Sequence, residues 1–395
     1  MSDINEKRAI DLVMKLMAVP GKSCEEQEMA DTVVSVLSQA GVPKTAISYD
    51  TAHKRSPAGG ALGNLIVKLP GERGRARLML SAHLDTVPIC VGCKPKKVGK
   101  RITSANPDTG LGADDRAGVA AVILSYLEAK EAAEASGVAL PPITMCFFVQ
   151  EEIGLHGSRF MVQSKLGKPS MALNFDGGDP YKMTVGATGG ERMKIALKGL
   201  PAHAGLAPEE GASALHAAGL AIGDLVQNKW LGQVRRKGLK GTSNIGVVQG
   251  GSATNVVAPS AEVTAEARSH DGPFRKAIAD AIENAFLKAA KRTKAKDGTV
   301  VEAIVERRVD YESFRLDPKS EAVKLVAASI ASLGTKPKQT ISNGGVDANW
   351  LNKHGIPTVT VGCGQREVHT ANEWLDIPDF LAACQIGKSM ILQSI

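Results

Sequence analysis

The stretch ITMCFFVQEE, residues 143–152, sets the fold class, because a run of large apolar side chains ends abruptly in two adjacent glutamates. Short apolar runs bounded by polar residues are typical of buried strands. Neighbouring side chains in an extended segment point to opposite sides, so Glu151 and Glu152 cannot perform the same task. Either each glutamate has a partner of its own, or both face solvent.

Three further segments repeat this pattern: NLIVKL (64–69), RLMLSAHLD (77–85) and MALNFDGG (171–178). Apolar residues at helical spacing occupy 118–133, between RLMLSAHLD and ITMCFFVQEE. Strands that alternate with helices are typical of an α/β sheet. Two helices, separated near Pro20 and Gly21, are predicted before this region.

The pattern changes from about residue 189. Alternating apolar residues predict strands at 190–200, 243–251, 261–269 and 300–311, and helical spacing predicts helices at 213–226 and 274–291. This β-α-β-β-α-β order is that of a ferredoxin-like unit. A helix at 321–333 and the strand TVTVGCG (358–364) then resume the alternation of helices and apolar strands seen before residue 189. We therefore predict an α/β domain in two parts, 1–186 and 314–395, with a ferredoxin-like domain inserted at 187–313.

Composition narrows the class of protein. The chain has 395 residues and is 43% hydrophobic, which suits two domains that each bury a core. Its charged start MSDINEKRAI lacks a signal-peptide core, and no apolar run of about 18 residues could span a bilayer. Six cysteines form no dense disulfide framework, and Cys90 and Cys93 lack the second pair of a structural zinc site. We expect a cytoplasmic protein that does not bind membranes.

The net charge of +7 raises the possibility of nucleic-acid binding. Basic residues concentrate at 93–101, 229–240 and 288–296, but aromatic residues make up only 4% of the chain and no recognition motif accompanies them. We interpret these clusters as solvated surfaces and expect no nucleic-acid partner.

Ionisable side chains follow the predicted strands of the first domain. The set comprises His83, Asp85, Glu151, Glu152, Asp176 and His369, with Asp114 at the predicted start of a helix. The carboxyl ends of strands in an open α/β sheet border the ligand crevice, so these residues are expected to converge there. So many acids in one crevice would repel without cations, and a metal centre resolves the conflict.

Imidazole and carboxylate together suit zinc, manganese or cobalt better than calcium or magnesium. Even five ligands from this set are too many for one open catalytic ion but suit two ions that share a carboxylate. Taken singly, each residue has a plainer interpretation. A histidine can simply end a strand, Asp176 can belong to a turn, and Asp114 or Asp115 can stabilise a helix start.

The motifs SAHLDTVP, GADDRAG, VQEEIG and NFDGG and the late His369 resemble, in order and spacing, the co-catalytic dizinc exopeptidases. That family includes peptidase T, carboxypeptidase G, succinyl-diaminopimelate desuccinylase and the aminoacylases, and peptidase T is the best model. The resemblance covers nearly the whole chain. It implies a zinc-exopeptidase-like α/β/α sandwich as catalytic domain, and a lid or dimerisation domain in the insert.

The resemblance also implies a role for each site residue. His83 and Asp176 would bind one metal, Glu152 and His369 the other, and Asp114 would bridge them. Asp85 would hold the imidazole of His83 in place. Glu151 would act as general base, taking a proton from a metal-bridging water and passing it to the leaving amine.

In the insert, His203, Asn255 and Arg268 resemble the family's groups for the oxyanion, the carbonyl and the carboxylate of the substrate. A surface salt bridge is the plainer interpretation of Arg268. Asp347 lies in a glycine-rich turn that also resembles the family's, and we assign it no chemical role. The family's lid implies a homodimer.

The function expected from the resemblance is hydrolysis of short peptides by a cytoplasmic tripeptide aminopeptidase with two divalent ions per chain, zinc in the first place and manganese or cobalt otherwise. Aspartate rather than glutamate at position 176 resembles the aminopeptidases, which implies a substrate with a free amine. The alternatives are an amidohydrolase of N-acyl amino acids and an inactive relative that binds metal or peptide.

Overall fold

Residues 3–394 are described by a computed structural model, in which Thr188–Phe314 forms a unit of its own, called the insert below. The rest of the described chain forms the main unit. The helices are α1 (Glu6–Met17), α2 (Gln27–Gln39), α3 (Ala52–Arg55), α4 (Ala113–Ser136), α5 (His156–Phe160), α6 (Ala214–Gln227), α7 (Gly272–Arg292), α8 (Glu321–Ala331), α9 (Ala348–Lys353) and α10 (Ile377–Gln393).

In the described part of the chain the strands form three sheets. In chain order they are β1 (Ile47–Tyr49), β2 (Leu65–Leu69), β3 (Leu78–His83), β4 (Pro95–Val98), β5 (Arg101–Ser104), β6 (Ile143–Phe148), β7 (Met171–Phe175), β8 (Lys182–Ala187), β9 (Gly189–Lys198), β10 (Gly232–Arg236), β11 (Leu239–Gly250), β12 (Ser260–Ser269), β13 (Glu302–Tyr311), β14 (Phe314–Arg315), β15 (Lys338–Ser342), β16 (Thr358–Val361), β17 (Gln365–Arg366) and β18 (Trp374–Asp376).

The main sheet has the order β1-β2-β6-β3-β7-β16-β8-β14, with β15 paired to β8. Its four central strands, β6, β3, β7 and β16, are parallel to one another. All four therefore end at the same edge of the sheet. This is the edge at which ligands bind in open α/β sheets.

Apolar residues on both faces of the central strands explain why helices cover the sheet on both sides. In β3, Leu78, Leu80 and Ala82 join one core with residues of α1, α4, α8 and α10. Met79 points the other way, into a second core that includes Leu351 of α9. The expected α/β/α sandwich is thus confirmed.

The insert has a five-stranded antiparallel sheet in the order β10-β11-β12-β9-β13. One face of the sheet packs its apolar residues, such as Met193, Ile195 and Leu197 of β9, against α6 and α7. Without β10, the elements follow the order β-α-β-β-α-β along the chain.

The strand β10 lies in the basic segment 229–240, which the sequence led us to interpret only as a solvated surface. It forms a hairpin with β11, in which Arg236 pairs with Leu239. The two loop residues, Lys237 and Gly238, both have positive φ angles, of 47° and 82°. Such two-residue turns match the twist of the strands. The Lys-Gly pair was not recognised as a turn because asparagine or aspartate is the usual first residue.

A third sheet, in the order β17-β18-β5-β4, flanks the loop that carries His369. No helix within residues 3–394 is both long and apolar enough to cross a membrane.

Candidate metal centre

The predicted site residues of the main unit meet at the carboxyl edge of the central strands. His83 is the last residue of β3, Asp176 follows β7 directly, and Glu151 and Glu152 come shortly after β6. His369 lies between β17 and β18, after β16, with a positive φ of 64°. Because the four strands are parallel, residues far apart in sequence become neighbours here.

Asp114 lies at the centre of this group. Its Oδ1 is 3.1 Å from Nε2 of His83, and its Oδ2 is 3.3 Å from Nε2 of His369. Nε2 of His369 is also 3.0 Å from Oε1 of Glu152. Each carboxylate oxygen of Asp114 therefore faces a different imidazole, as a carboxylate shared between two ions would require.

Among residues 3–394, three sets of histidine and acidic side chains have ligand atoms within 4.8 Å of one another. These sets are His83 with Asp114 and Asp176, Asp114 with Glu152 and His369, and His83 with Glu151 and Glu152. The first two sets share Asp114 and match the ligand groups implied by the resemblance. Glu151 belongs to neither of them, and its Oε2 is 4.0 Å from Nε2 of His83.

Asp114, which the resemblance assigns as the bridging ligand, and its neighbour Asp115 have different surroundings. Both have non-helical dihedral angles at the start of α4, and the peptide bond between them is cis. Asp115 is fully buried and accepts hydrogen bonds from the backbone N–H of His83 (3.1 Å) and Gly118 (3.0 Å) and from Nε2 of Gln365 (2.8 Å). Asp115 thus anchors the end of β3, while Asp114 faces the other ligands.

Asp85 contacts His83 through both its backbone and its carboxylate. Nδ1 of His83 is 3.0 Å from the backbone carbonyl of Asp85 but 3.5 Å from its carboxylate, so the carbonyl is the better acceptor. The carboxylate accepts from the N–H groups of Glu151 (2.9 Å) and Glu152 (3.2 Å) and from the hydroxyl of Ser23 (2.6 Å). Asp85 therefore also holds the backbone of both glutamates.

The raised pKa values of the acids and histidines indicate that the site favours bound positive charge. Burial, reinforced by the charge of Asp114, raises the pKa of Asp176 to about 8. Hydrogen bonds to Asp114 and Glu152 raise the pKa of His369 to about 10. Burial opposes the charge of His83, yet its hydrogen bonds to Asp114 and Asp85 raise its pKa well above the usual range. Without metal, protons compensate the acids, and divalent cations on the same imidazoles and carboxylates would replace them. The donor set therefore fits two such ions.

Comparison with known proteins agrees with this geometry. The model of peptidase family M20/M25/M40 matches residues 79–393. The chain belongs to this family. Families of this kind are metal-dependent and typically dinuclear, and the chain is a metallopeptidase.

Relatives of this M20/M25/M40 peptidase include two solved structures. A tripeptidase from Staphylococcus aureus is 30% identical, with all of both chains covered and a TM-score of 0.87. Aminopeptidase PepT from Bacillus cereus is 29% identical, with 99% of both chains covered and a TM-score of 0.84. Uncharacterized protein YqjE from Bacillus subtilis is 30% identical over 390 residues, which is 98% of each chain.

Sequence reasoning missed a buried acid beside the metal-binding loop of this M20/M25/M40 peptidase. Glu373 is 2% exposed and accepts hydrogen bonds from the N–H groups of Gly112 (2.7 Å) and Asp114 (3.0 Å). It follows no apolar strand pattern, and its partners lie some 260 residues away in sequence, so only the fold reveals it. Asp347, to which the sequence assigned no role, is 1% exposed at the start of α9, where burial raises its pKa to about 7.

The three candidate substrate residues lie in the insert. His203 is exposed, and its Nδ1 accepts hydrogen bonds from the N–H groups of Gly205 (3.1 Å) and Leu206 (3.2 Å). Asn255 is its neighbour, since its carbonyl accepts from the N–H of Ala204 at 2.9 Å.

Arg268 makes a two-point ion pair with Glu266, at 3.0 and 2.9 Å. This is the plainer interpretation that the sequence left open, and it occupies two nitrogen atoms of the guanidinium group.

Proposed function

We propose that the protein is a two-metal aminopeptidase of the tripeptidase type, with zinc as its metal and short peptides with a free N-terminal amine as substrates. The observation that carries the proposal is the position of Asp114, whose two oxygens face His83 and His369 separately. Asp176 adds a carboxylate on the side of His83, and Glu152 adds one on the side of His369.

Two ions held in this way supply Lewis-acid polarisation of the scissile carbonyl and lower the pKa of water toward neutrality. We assign the proton transfer to Glu151, whose backbone is held by Asp85 and whose carboxyl group belongs to neither ligand set that shares Asp114. Glu151 takes a proton from the attacking water, the water oxygen bonds to the carbonyl carbon, and the same proton passes to the leaving nitrogen as the C–N bond breaks. Burial raises the pKa of Glu151, which supports a group that retains the proton between these steps.

We propose that His203 stabilises the oxyanion. Because its Nδ1 accepts two backbone hydrogen bonds, the neutral imidazole carries its hydrogen on Nε2. The exposed Nε2–H is then a donor of the kind that oxyanion stabilisation requires. Asn255 and Arg268 are proposed to bind the substrate carbonyl and carboxylate, and for Arg268 this requires exchange of at least part of its ion pair with Glu266.

We propose further that the insert forms a homodimer. Leu215, Leu220 and Val226 on α6 are 39%, 48% and 60% exposed. The segment 244–250 of β11 pairs with β12 only, since β10 reaches no further than Ser243. Exposed apolar side chains and a free strand edge favour association with a second copy. Light scattering should detect a dimer, and the double variant Leu220→Glu, Val226→Glu should be monomeric. A monomeric wild-type protein at micromolar concentration would contradict this proposal.

The free amine of the substrate is tested by comparing a tripeptide with its N-acetylated form at equal concentration, while following release of the first residue. We expect the free peptide to be cleaved faster, because an acidic site favours the charged amine. Equal or faster cleavage of the acetylated peptide would favour an amidohydrolase of N-acyl amino acids. Metal binding without hydrolysis of either compound would favour an inactive relative.

The cellular location belongs to the same proposal. Six cysteines in 395 residues are sparse, and all six are free thiols in the structure. We therefore propose a reducing compartment, the cytoplasm.

A further inference from the structure

The carboxylate of Glu373 contacts the backbone of the shared ligand Asp114. Its Oε1 accepts from the N–H of Asp114 at 3.0 Å, and its Oε2 accepts from the N–H of Gly112 at 2.7 Å. The thiol of Cys90 is 3.5 Å from the same Oε2. Both oxygens of a carboxylate that is 2% exposed are thus directed at the loop that carries Asp114.

The chemistry of these contacts requires a carboxylate of this length. Two N–H donors need two acceptor oxygens, and an amide side chain would turn an NH₂ donor toward one of them. Hydrogen bonds from N–H groups to a carboxylate are also stronger than neutral ones. The adjacent Gly110 leaves room for this arrangement, because a Cβ atom there would lie 2.9 Å from the carbonyl oxygen of Thr370 and 3.0 Å from both Sγ of Cys90 and Oε2 of Glu373.

Glu373 is also linked to the second histidine of the centre. It lies four residues after His369, in the turn closed by the hydrogen bond from the N–H of Glu373 to the carbonyl of Thr370 at 3.2 Å. One short segment therefore carries His369 and holds the backbone of Asp114, the two residues whose side chains meet at 3.3 Å.

We infer that Glu373 is a positioning residue that sets the affinity for both ions, by fixing the backbone of Asp114 relative to His369. This inference rests on the proposed two-metal centre. Because Asp114 is shared, loss of Glu373 should weaken the binding of both ions. Loss of an unshared ligand such as Glu152 should weaken the binding of one ion only.

The test is titration of the full-length metal-free protein with Co²⁺, followed by the visible absorption of the bound ion, with circular dichroism to confirm that each variant is folded. Glu373→Gln and Gly110→Ala should each weaken both binding steps by about 10- to 100-fold, the usual scale for residues that orient metal ligands. Gly110→Ala retains every charged group and crowds Glu373 together with Cys90 and Thr370, so it perturbs position without changing charge. The exposed Glu367, on the same loop, provides the matched control, and Glu367→Gln should bind Co²⁺ like the wild type.

Several results would overturn the inference. Affinities within about twofold of the wild type in the folded Glu373→Gln protein would contradict it, since they fall well below the expected scale. Weakening of one ion alone would show that Glu373 does not act through Asp114. Normal binding by Gly110→Ala together with weak binding by Glu373→Gln would assign the effect to charge. If Glu373→Gln does not fold, Gly110→Ala decides. A wild-type protein that binds no Co²⁺ would refute the metal centre itself.

Discussion

Replacement of Asp85 by asparagine should weaken the metal centre although no ligand is removed. The carboxylate accepts three hydrogen bonds, from the N–H groups of Glu151 and Glu152 and from the hydroxyl of Ser23. An asparagine side chain has one acceptor oxygen in place of two. The least costly arrangement retains the oxygen opposite Glu151 and turns NH₂ toward Ser23, whose hydroxyl can rotate to accept. The N–H of Glu152 then loses its partner.

The magnitude follows from that single loss. A hydrogen bond to a charged group contributes about 1.5 to 3 kcal/mol, which corresponds to about 10- to 100-fold in an equilibrium constant. The lost hydrogen bond is that of the backbone N–H of Glu152, so the binding of the ion held by Glu152 and His369 should be weakened by that factor. The ion held by His83 and Asp176 should change less.

The assay is calorimetric titration of metal-free protein with Zn²⁺, which resolves two binding steps if their affinities differ. Ser23→Ala serves as the control, because it removes one hydroxyl and leaves both backbone contacts to Asp85 intact, so its affinities should remain close to those of the wild type. Equal affinities in Asp85→Asn and the wild type would refute the positioning role of the carboxylate. Equal weakening of both ions would show that its contact with His83 matters more than its hold on Glu152.

Three further predictions concern the proton-transfer residue, the ions and a buried acid. Glu151→Gln should retain both ions and lose about 10²-fold or more in turnover, the scale of a general base. Glu152→Gln should instead lose one ion. Similar metal contents in the two variants would contradict these separate roles. Treatment with EDTA should abolish peptide hydrolysis and added Zn²⁺ should restore it, so full activity of metal-free protein would exclude the mechanism. Glu26, fully buried, has a pKa raised from 4.5 to about 7, first by burial and then by the charge of Asp85. Between those values the unfolded chain releases a proton that the folded protein retains, so stability falls as the pH rises, by about 3 kcal/mol in all. In protein freed of metal by a chelator, the Tm of Glu26→Gln should therefore exceed that of the wild type by more at pH 8 than at pH 5.5. The control Glu25→Gln, at an exposed position, should show no such pH-dependent difference in Tm. A Tm difference for Glu26→Gln that does not change with pH would refute the assignment.

The main sheet and the convergence of the candidate ligands could be predicted because each relevant segment combines an apolar strand pattern with a polar residue at its end. ITMCFFVQEE and RLMLSAHLD are apolar enough to be central strands, and parallel central strands bring their ends together. The structure confirms this α/β arrangement.

Other features depend on contacts that no local pattern records. Asp114 and Asp115 are adjacent acids of which the resemblance names Asp114 as the bridge, and the packing of Gln365 and the end of β3 against Asp115 gives the physical reason. Glu373 owes its position to backbone partners 259 and 261 residues away. The hairpin of β10 uses Lys237 and Gly238 in a turn for which composition provides a weak signal.

The first and last strands of the insert are neighbours, and Gly190 pairs with Tyr311. Its two connections to the rest of the chain therefore leave from adjacent strands. While the insert is unfolded, pairing β8 with β14 in the main sheet requires closure of a flexible loop of about 120 residues. Once the insert has folded, the loop to be closed is effectively a few residues long. Loop-closure entropy grows as (3/2)RT ln n, so this shortening is equivalent to about 3 kcal/mol. A folded insert between β8 and β14 therefore adds little to the loop-closure entropy of the main sheet. The size of the insert could change during evolution as long as its first and last strands stay paired.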